Sequence, residues 1–110
     1  MVISREASDR RTEGMTLGNL GGLYKQTGRV EAAERAYERA LALHREVGDR
    51  RSEGVTLGNL AELYLETGRL ELAERGQEQA LALQREFRNL RGEAVALGNL
   101  ANVYQETGRL

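Results

Sequence analysis

At 110 residues, with 17 acidic and 16 basic side chains and a net charge of −1, the chain is one domain at most. It lacks the basic excess of a nucleic-acid-binding face. No cysteine means no disulfide or thiolate metal site, and no apolar run reaches membrane-spanning or signal-peptide length, so a cytoplasmic protein without a cofactor is expected.

Residues 1–9 align in register with Leu41–Asp49 and read as the tail of a preceding helix. Asp9 and Asp49 each stand where an aspartate caps the first free amides of a new helix. A first helix, A, is predicted over 10–27, with Leu17, Leu20 and Tyr24 on one stripe at spacings of three and four. Gly28 closes it in a left-handed turn. A partner helix, B, covers 30–47, presents Ala33, Ala36, Ala40, Leu41 and Leu43 for packing, and ends at Gly48.

The plan then repeats with a period of 40. Helix A runs over 50–67 and helix B over 70–87, and a third A helix covers 90–107 before the sequence ends at Leu110. Residues 11–50 and 51–90 agree at more than half of their positions. A fixed period of this length marks a stacked array. The domain reading is a single array of about 2.5 repeats, 10–49, 50–89 and the half-repeat 90–110. Gly76 stands where the first repeat has Ala36 and is expected to weaken its helix by about 1 kcal/mol relative to alanine. Phe87-Arg88-Asn89 replaces Val47-Gly48-Asp49, so that join lacks a glycine stop.

Leu57, Leu60, Ala61, Tyr64, Gly68, Ala73, Ala80 and Leu81 fall in a pattern that resembles the tetratricopeptide repeat. Three departures from the usual repeat are the 40-residue length, a leucine at the first position and the absence of proline. In these respects the chain is most similar to the longer repeats of kinesin light chains, Pins/LGN-type adaptors and many bacterial repeat proteins. The resemblance implies an all-α, right-handed solenoid of antiparallel helix pairs. It also implies a concave groove, lined by the A helices, that holds a peptide segment of a partner protein.

With Leu57, Leu60, Ala61 and Tyr64 committed to the hairpin core, the groove face carries Val55, Gly58, Asn59, Glu62, Leu65 and Glu66. Candidate groove residues are Asn19, Asn59, Asn99 and Asn102, the glycines Gly18, Gly58 and Gly98, and Lys25, Glu62, Glu66 and Gln105. An asparagine offers one acceptor and two donors and can pair with peptide backbone of any sequence. Related repeats place asparagine at this spot to hold bound backbone. The competing reading has each asparagine bond to a neighbouring repeat and fix the stacking angle. The glycines either clear space for a ligand or permit close helix packing. Glu62, Glu66 and Glu106 make one half of the groove acidic while Lys25 marks the other, which suits a ligand with a basic end.

His44 stands alone, without a carboxylate or cysteine constellation, and reads as a surface residue. The tyrosines read as core or core-edge. Arg and Glu on the B helices, such as Glu34 with Arg35, read as a solvated convex face. No phosphate loop, metal cluster or paired nucleophile and base is present, so an enzyme is not expected. The expected work is protein–protein scaffolding, without nucleic acid or membrane. The alternative is a structural or self-assembling module, a fragment of a larger regulatory protein. It would associate with itself through a C-terminal helix whose Leu97, Leu100 and Tyr104 lack cover.

Overall fold

The computed structural model describes the backbone of residues 2–109 and the side chains of residues 8–109. Five helices follow one another: α1 (Val2–Gln26), α2 (Val30–Val47), α3 (Arg50–Glu66), α4 (Leu70–Glu86) and α5 (Leu90–Glu106). α1 packs on α2 and α3 on α4 as extensive hairpins, and the α2–α3 and α4–α5 joints stack the array sideways. The described residues form an elongated all-α array of 53 × 32 × 19 Å. Its A helices are α1, α3 and α5, and its B helices are α2 and α4.

Each Thr-Gly-Arg segment is a helix stop built from its own atoms. The Thr67 hydroxyl donates to the Leu63 and Tyr64 carbonyls at 3.0 and 3.2 Å. Gly68 takes φ +80°, a left-handed conformation that only glycine adopts freely. The Arg69 amide then donates back to the Tyr64 carbonyl at 2.8 Å, which satisfies a carbonyl left over at the helix end. The join before α3 uses Gly48, and the Asp49 carboxylate accepts from the Ser52 amide at 3.2 Å. The join before α5 makes the same turn without glycine. Arg88 itself goes left-handed at φ +53°, and Asn89 accepts from the Gly92 amide at 3.1 Å.

One boundary differs from the sequence expectation. α1 is continuous from Val2 to Gln26, so residues 2–9 are not set off as a separate helix tail and Asp9 does not cap. Ser8 stands where Gly48 closes α2 and Arg88 closes α4, and the helix runs through it unbroken.

The central core joins Ala33, Tyr37 and Leu41 of α2 to Leu57, Leu60 and Leu63 of α3 and to Ala80 and Leu83 of α4, with Tyr24 and Tyr64 packed at its edge. A smaller cluster holds Leu81 of α4 against Ala96 and Leu100 of α5, with Tyr104 beside it. Leu100 is therefore buried by α4. Of the three residues expected to lie bare on α5, Leu97 alone is exposed, at 46% against 6% for its counterpart Leu57. At the opposite end Leu23 is 53% exposed, whereas its counterparts Leu63 and Val103 are fully buried beneath the preceding B helix.

Gly76 also has a packing reason that helix propensity alone does not show. A Cβ there would stand 2.7 Å from the Ala61 Cβ. The first repeat solves the same crossing in reverse, with Ala36 on the B helix and Gly21 on the A helix, where a Cβ would sit 2.6 Å from the Tyr37 ring. Adjacent hairpins are fastened by ion pairs between repeats. Arg69 grips Glu34 with both terminal nitrogens, at 2.6 and 2.9 Å, while its guanidinium lies 4.7 Å from the centre of the Tyr64 ring. Arg109 repeats this with Glu74 and Tyr104. Glu34 thus belongs to a joint between repeats and not to a freely solvated face. The hydrogen bonds from Arg69 hold its carboxyl below the ordinary carboxylate range, against the opposing effect of burial.

Candidate functional site

The three A helices lie side by side and share one face. Met15, Val55 and Val95, one per helix, form a stripe of half-exposed apolar side chains at 56%, 50% and 58%. Asn19, Asn59 and Asn99 follow one helical turn further along each helix. The face is broken by two clefts. The first, about 340 Å³, opens between α1 and α3 and reaches down to α2; Asn19 and Asn59 flank it. The second, about 240 Å³, opens between α3 and α5 over α4; Asn59 and Asn99 flank it. Val55 and Asn59 line both.

Two ambiguities in the sequence are narrowed by this geometry. Among the described residues, none of the three asparagine side chains bonds to another repeat, whereas Arg69 and Arg109 do. The joints are held by arginine and glutamate. A Cβ at Gly18 or Gly98 would meet nothing within 4 Å, and one at Gly58 would meet only the Ala80 Cβ at 3.9 Å. Close packing is instead the business of Gly14 and Gly54, where a Cβ would approach His44 to 3.0 Å and Leu83 to 3.1 Å.

The remaining candidates sort by edge. Asn102 and Gln105 are exposed and line neither cleft. Lys25 does not mark an opposite half of the groove from the glutamates. It sits against them, 3.5 Å from Glu62 and 3.3 Å from Glu66. Burial pushes the Lys25 ammonium down, but the two carboxylates outweigh it and hold it above its ordinary value. Lys25 offsets only one of the two carboxylate charges, so this edge stays net negative and the groove has no opposite basic pole at Lys25. At the other edge, where the A helices begin, Arg11 pairs with Asp49 at 3.4 Å. Its counterpart Arg51 instead lies over the Phe87 ring at 4.8 Å, and among the described residues it pairs with no carboxylate.

His44 is the residue that the sequence reading misplaced. It is 2% exposed, it forms part of the wall of the first cleft, and its Nδ1 has no hydrogen-bond partner. Burial depresses its pKa, the carboxylates of Asp49 and Glu53 oppose that, and Arg11 adds to it. The missed signal was periodicity: Ala33, Tyr37, Ala40 and Leu41 form the inward stripe of α2, and residue 44 continues it. Gln84, 40 residues on, is likewise buried. No group of three or more His, Cys, Asp or Glu that could hold a metal ion occurs among the described residues. No described helix is long and apolar enough to cross a membrane.

In comparisons with known proteins, a family model described as tetratricopeptide repeat matches residues 12–86 and again residues 52–110. No curated protein matches the chain.

Proposed function

The chain belongs to the tetratricopeptide repeat family, whose repeats generally mediate protein–protein interaction, and on that premise we propose that it holds an extended segment of a partner protein along α1, α3 and α5. The observation that carries this is the asparagine row. Three side chains stand at one repeat position, have no bond of their own among the described residues, and are flanked by glycines whose missing side chains leave open space. Each amide accepts a peptide N–H and donates to a peptide carbonyl, a pairing worth about 0.5–1.5 kcal/mol net per bond. Backbone pairing of this kind is indifferent to sequence. Met15, Val55 and Val95 supply apolar surface that the segment covers.

The test is capture from a lysate by the immobilised chain, beside a variant carrying Asn19→Ala, Asn59→Ala and Asn99→Ala that remains helical by circular dichroism. A discrete partner retained by the native chain and lost by the variant supports the reading. The same partner retained by both removes the asparagines from the site.

A second reading, self-association through the outer face of α5, rests on the exposure of Leu97. Light scattering at high concentration tests it. A strict monomer, unchanged by Leu97→Glu, excludes it.

A further inference from the structure

The groove has two long edges of opposite sign, with the asparagine row between them. On the side where the A helices end stand Glu62 and Glu66, which Lys25 only half offsets. On the side where they begin, eight residues before each asparagine, stands an arginine: Arg11, Arg51 and Arg91. Residues four and eight apart fall on one helical face, so each arginine continues the line of Met15, Val55 or Val95 and the asparagine. The step from arginine to asparagine is about 12 Å along the helix.

The two joints differ in what they do with these arginines. At the first, Arg11 pairs with Asp49 at 3.4 Å, and Arg10 beside it pairs with Glu46. At the second, Asn89 takes the place of Asp49 and Arg88 the place of Gly48. Arg50 still pairs with Glu86 at 3.0 Å, but Arg51 comes to rest over the Phe87 ring, 4.8 Å from its centre. The ring turns Arg51 towards the second joint and offers no lone pair, so the N–H donors of the guanidinium stay free. Arg91 is exposed and lines the second cleft beside Asn89. Among the described residues Arg51, Arg88 and Arg91 pair with no carboxylate. The net charge is zero over Arg10, Arg11, Glu46, Gly48 and Asp49, and +2 over the corresponding Arg50, Arg51, Glu86, Arg88 and Asn89. Arg51 and Arg91 also stand in the first turn of α3 and α5, the end of a helix that favours a nearby anion.

We propose that the second joint is the anionic subsite of the groove, where Arg51 and Arg91 receive the side-chain carboxylates of acidic residues in the bound segment. The proposal rests on the groove reading above and adds charge and register to it. Each guanidinium fork takes a carboxylate through two parallel bonds. Side chains of an extended segment alternate between its two sides. With the backbone on the asparagine row, one set faces the arginines and the other faces Glu62 and Glu66, so acidic residues alternate with residues that are not acidic. A nucleic-acid strand, anionic along its whole length, would meet the glutamate edge, and the site therefore suits a peptide. Asp49 already neutralises the first joint, so the acidic end of the segment lies across α3 and α5.

The experiment selects a phage-displayed library of random dodecapeptides on the full chain and remeasures a selected peptide by calorimetry on variants. The selected peptides are expected to be enriched in Asp and Glu at alternate positions. Arg51→Gln combined with Arg91→Gln is expected to weaken binding about tenfold and to flatten its salt dependence. Arg35→Gln combined with Arg75→Gln removes the same charge from exposed positions that line neither cleft and is expected to leave binding within about twofold. Asn89→Asp gives Arg51 an internal carboxylate, as Asp49 gives Arg11, and is expected to weaken the acidic peptide as well.

Peptides that depend on the asparagine row but carry no acidic enrichment overturn the anionic subsite and leave the groove standing. Equal losses in the Arg51/Arg91 and Arg35/Arg75 variants do the same, because they report the field of the whole chain. Acidic peptides that need Arg51 and Arg91 but are indifferent to the asparagine triple variant support the arginine pair and overturn the asparagine row. Selection that yields no peptide overturns both.

Discussion

Replacing Gly76 by alanine is the substitution for which helix propensity and packing give opposite answers. Propensity alone favours alanine by about 1 kcal/mol. The structure puts the new Cβ 2.7 Å from the Ala61 Cβ and 3.6 Å from the Leu57 carbonyl oxygen, on a helix crossing with no flexible side-chain end to move aside. Overpacking of this kind costs about 1–3 kcal/mol, so Gly76→Ala is expected to destabilise by about 1 kcal/mol net. Ala61→Gly alone loses helix propensity and a buried methyl and is expected to cost about 2 kcal/mol. The double variant restores the arrangement of the first repeat, where Gly21 on the A helix faces a B helix carrying Ala36. It is expected to lie near the native chain, which gives a favourable coupling of about 3 kcal/mol, at the upper end for residues in contact. Urea denaturation followed by circular dichroism, with the slope checked across all four chains, measures the cycle. A Gly76→Ala chain more stable than the native one, or single effects that simply add in the double variant, would refute the packing argument.

Two further substitutions probe the joints. Arg88 holds a left-handed φ of +53°, so Arg88→Gly is expected to raise stability by about 0.5–1 kcal/mol in the same denaturation assay, whereas Gly48→Arg lowers it. His44 is buried neutral, with a folded pKa below its ordinary value of 6.5. The unfolded chain therefore takes up a proton that the folded chain refuses. Stability from this group is complete above pH 6.5 and falls as pH drops below it toward the folded value. Thermal melts across that window should show the fall in the native chain and a smaller one in His44→Phe; equal falls in both would place the titration elsewhere.

The period, the helix stops and the hairpin partners were all legible in the sequence, because each is a local signal copied at intervals of 40. What escaped was pairwise and lay between elements. Gly76 looked like a weak point until Ala61 was seen across from it, and Lys25 looked like one pole of a groove until Glu62 and Glu66 were found beside it. His44 was judged by its lack of chemical neighbours in the sequence, although its place on the inward stripe of α2 already said that it was buried. The opening of α1 failed for another reason. Register with Leu41–Asp49 says where a turn would fall but not whether the chain takes it, and at Ser8 the helix continues.

The arginine–glutamate joints have a consequence for the elasticity of the array. Packing within each hairpin is broad and apolar, whereas α2 meets α3 over a narrower surface that Arg69 and Glu34 bind from the partly exposed edge. The hairpins are the stiff links and the joints the compliant ones. Interactions at such an edge are screened by salt. The spacing between neighbouring A helices is then expected to respond to ionic strength, loosening as salt weakens the Arg69–Glu34 joint.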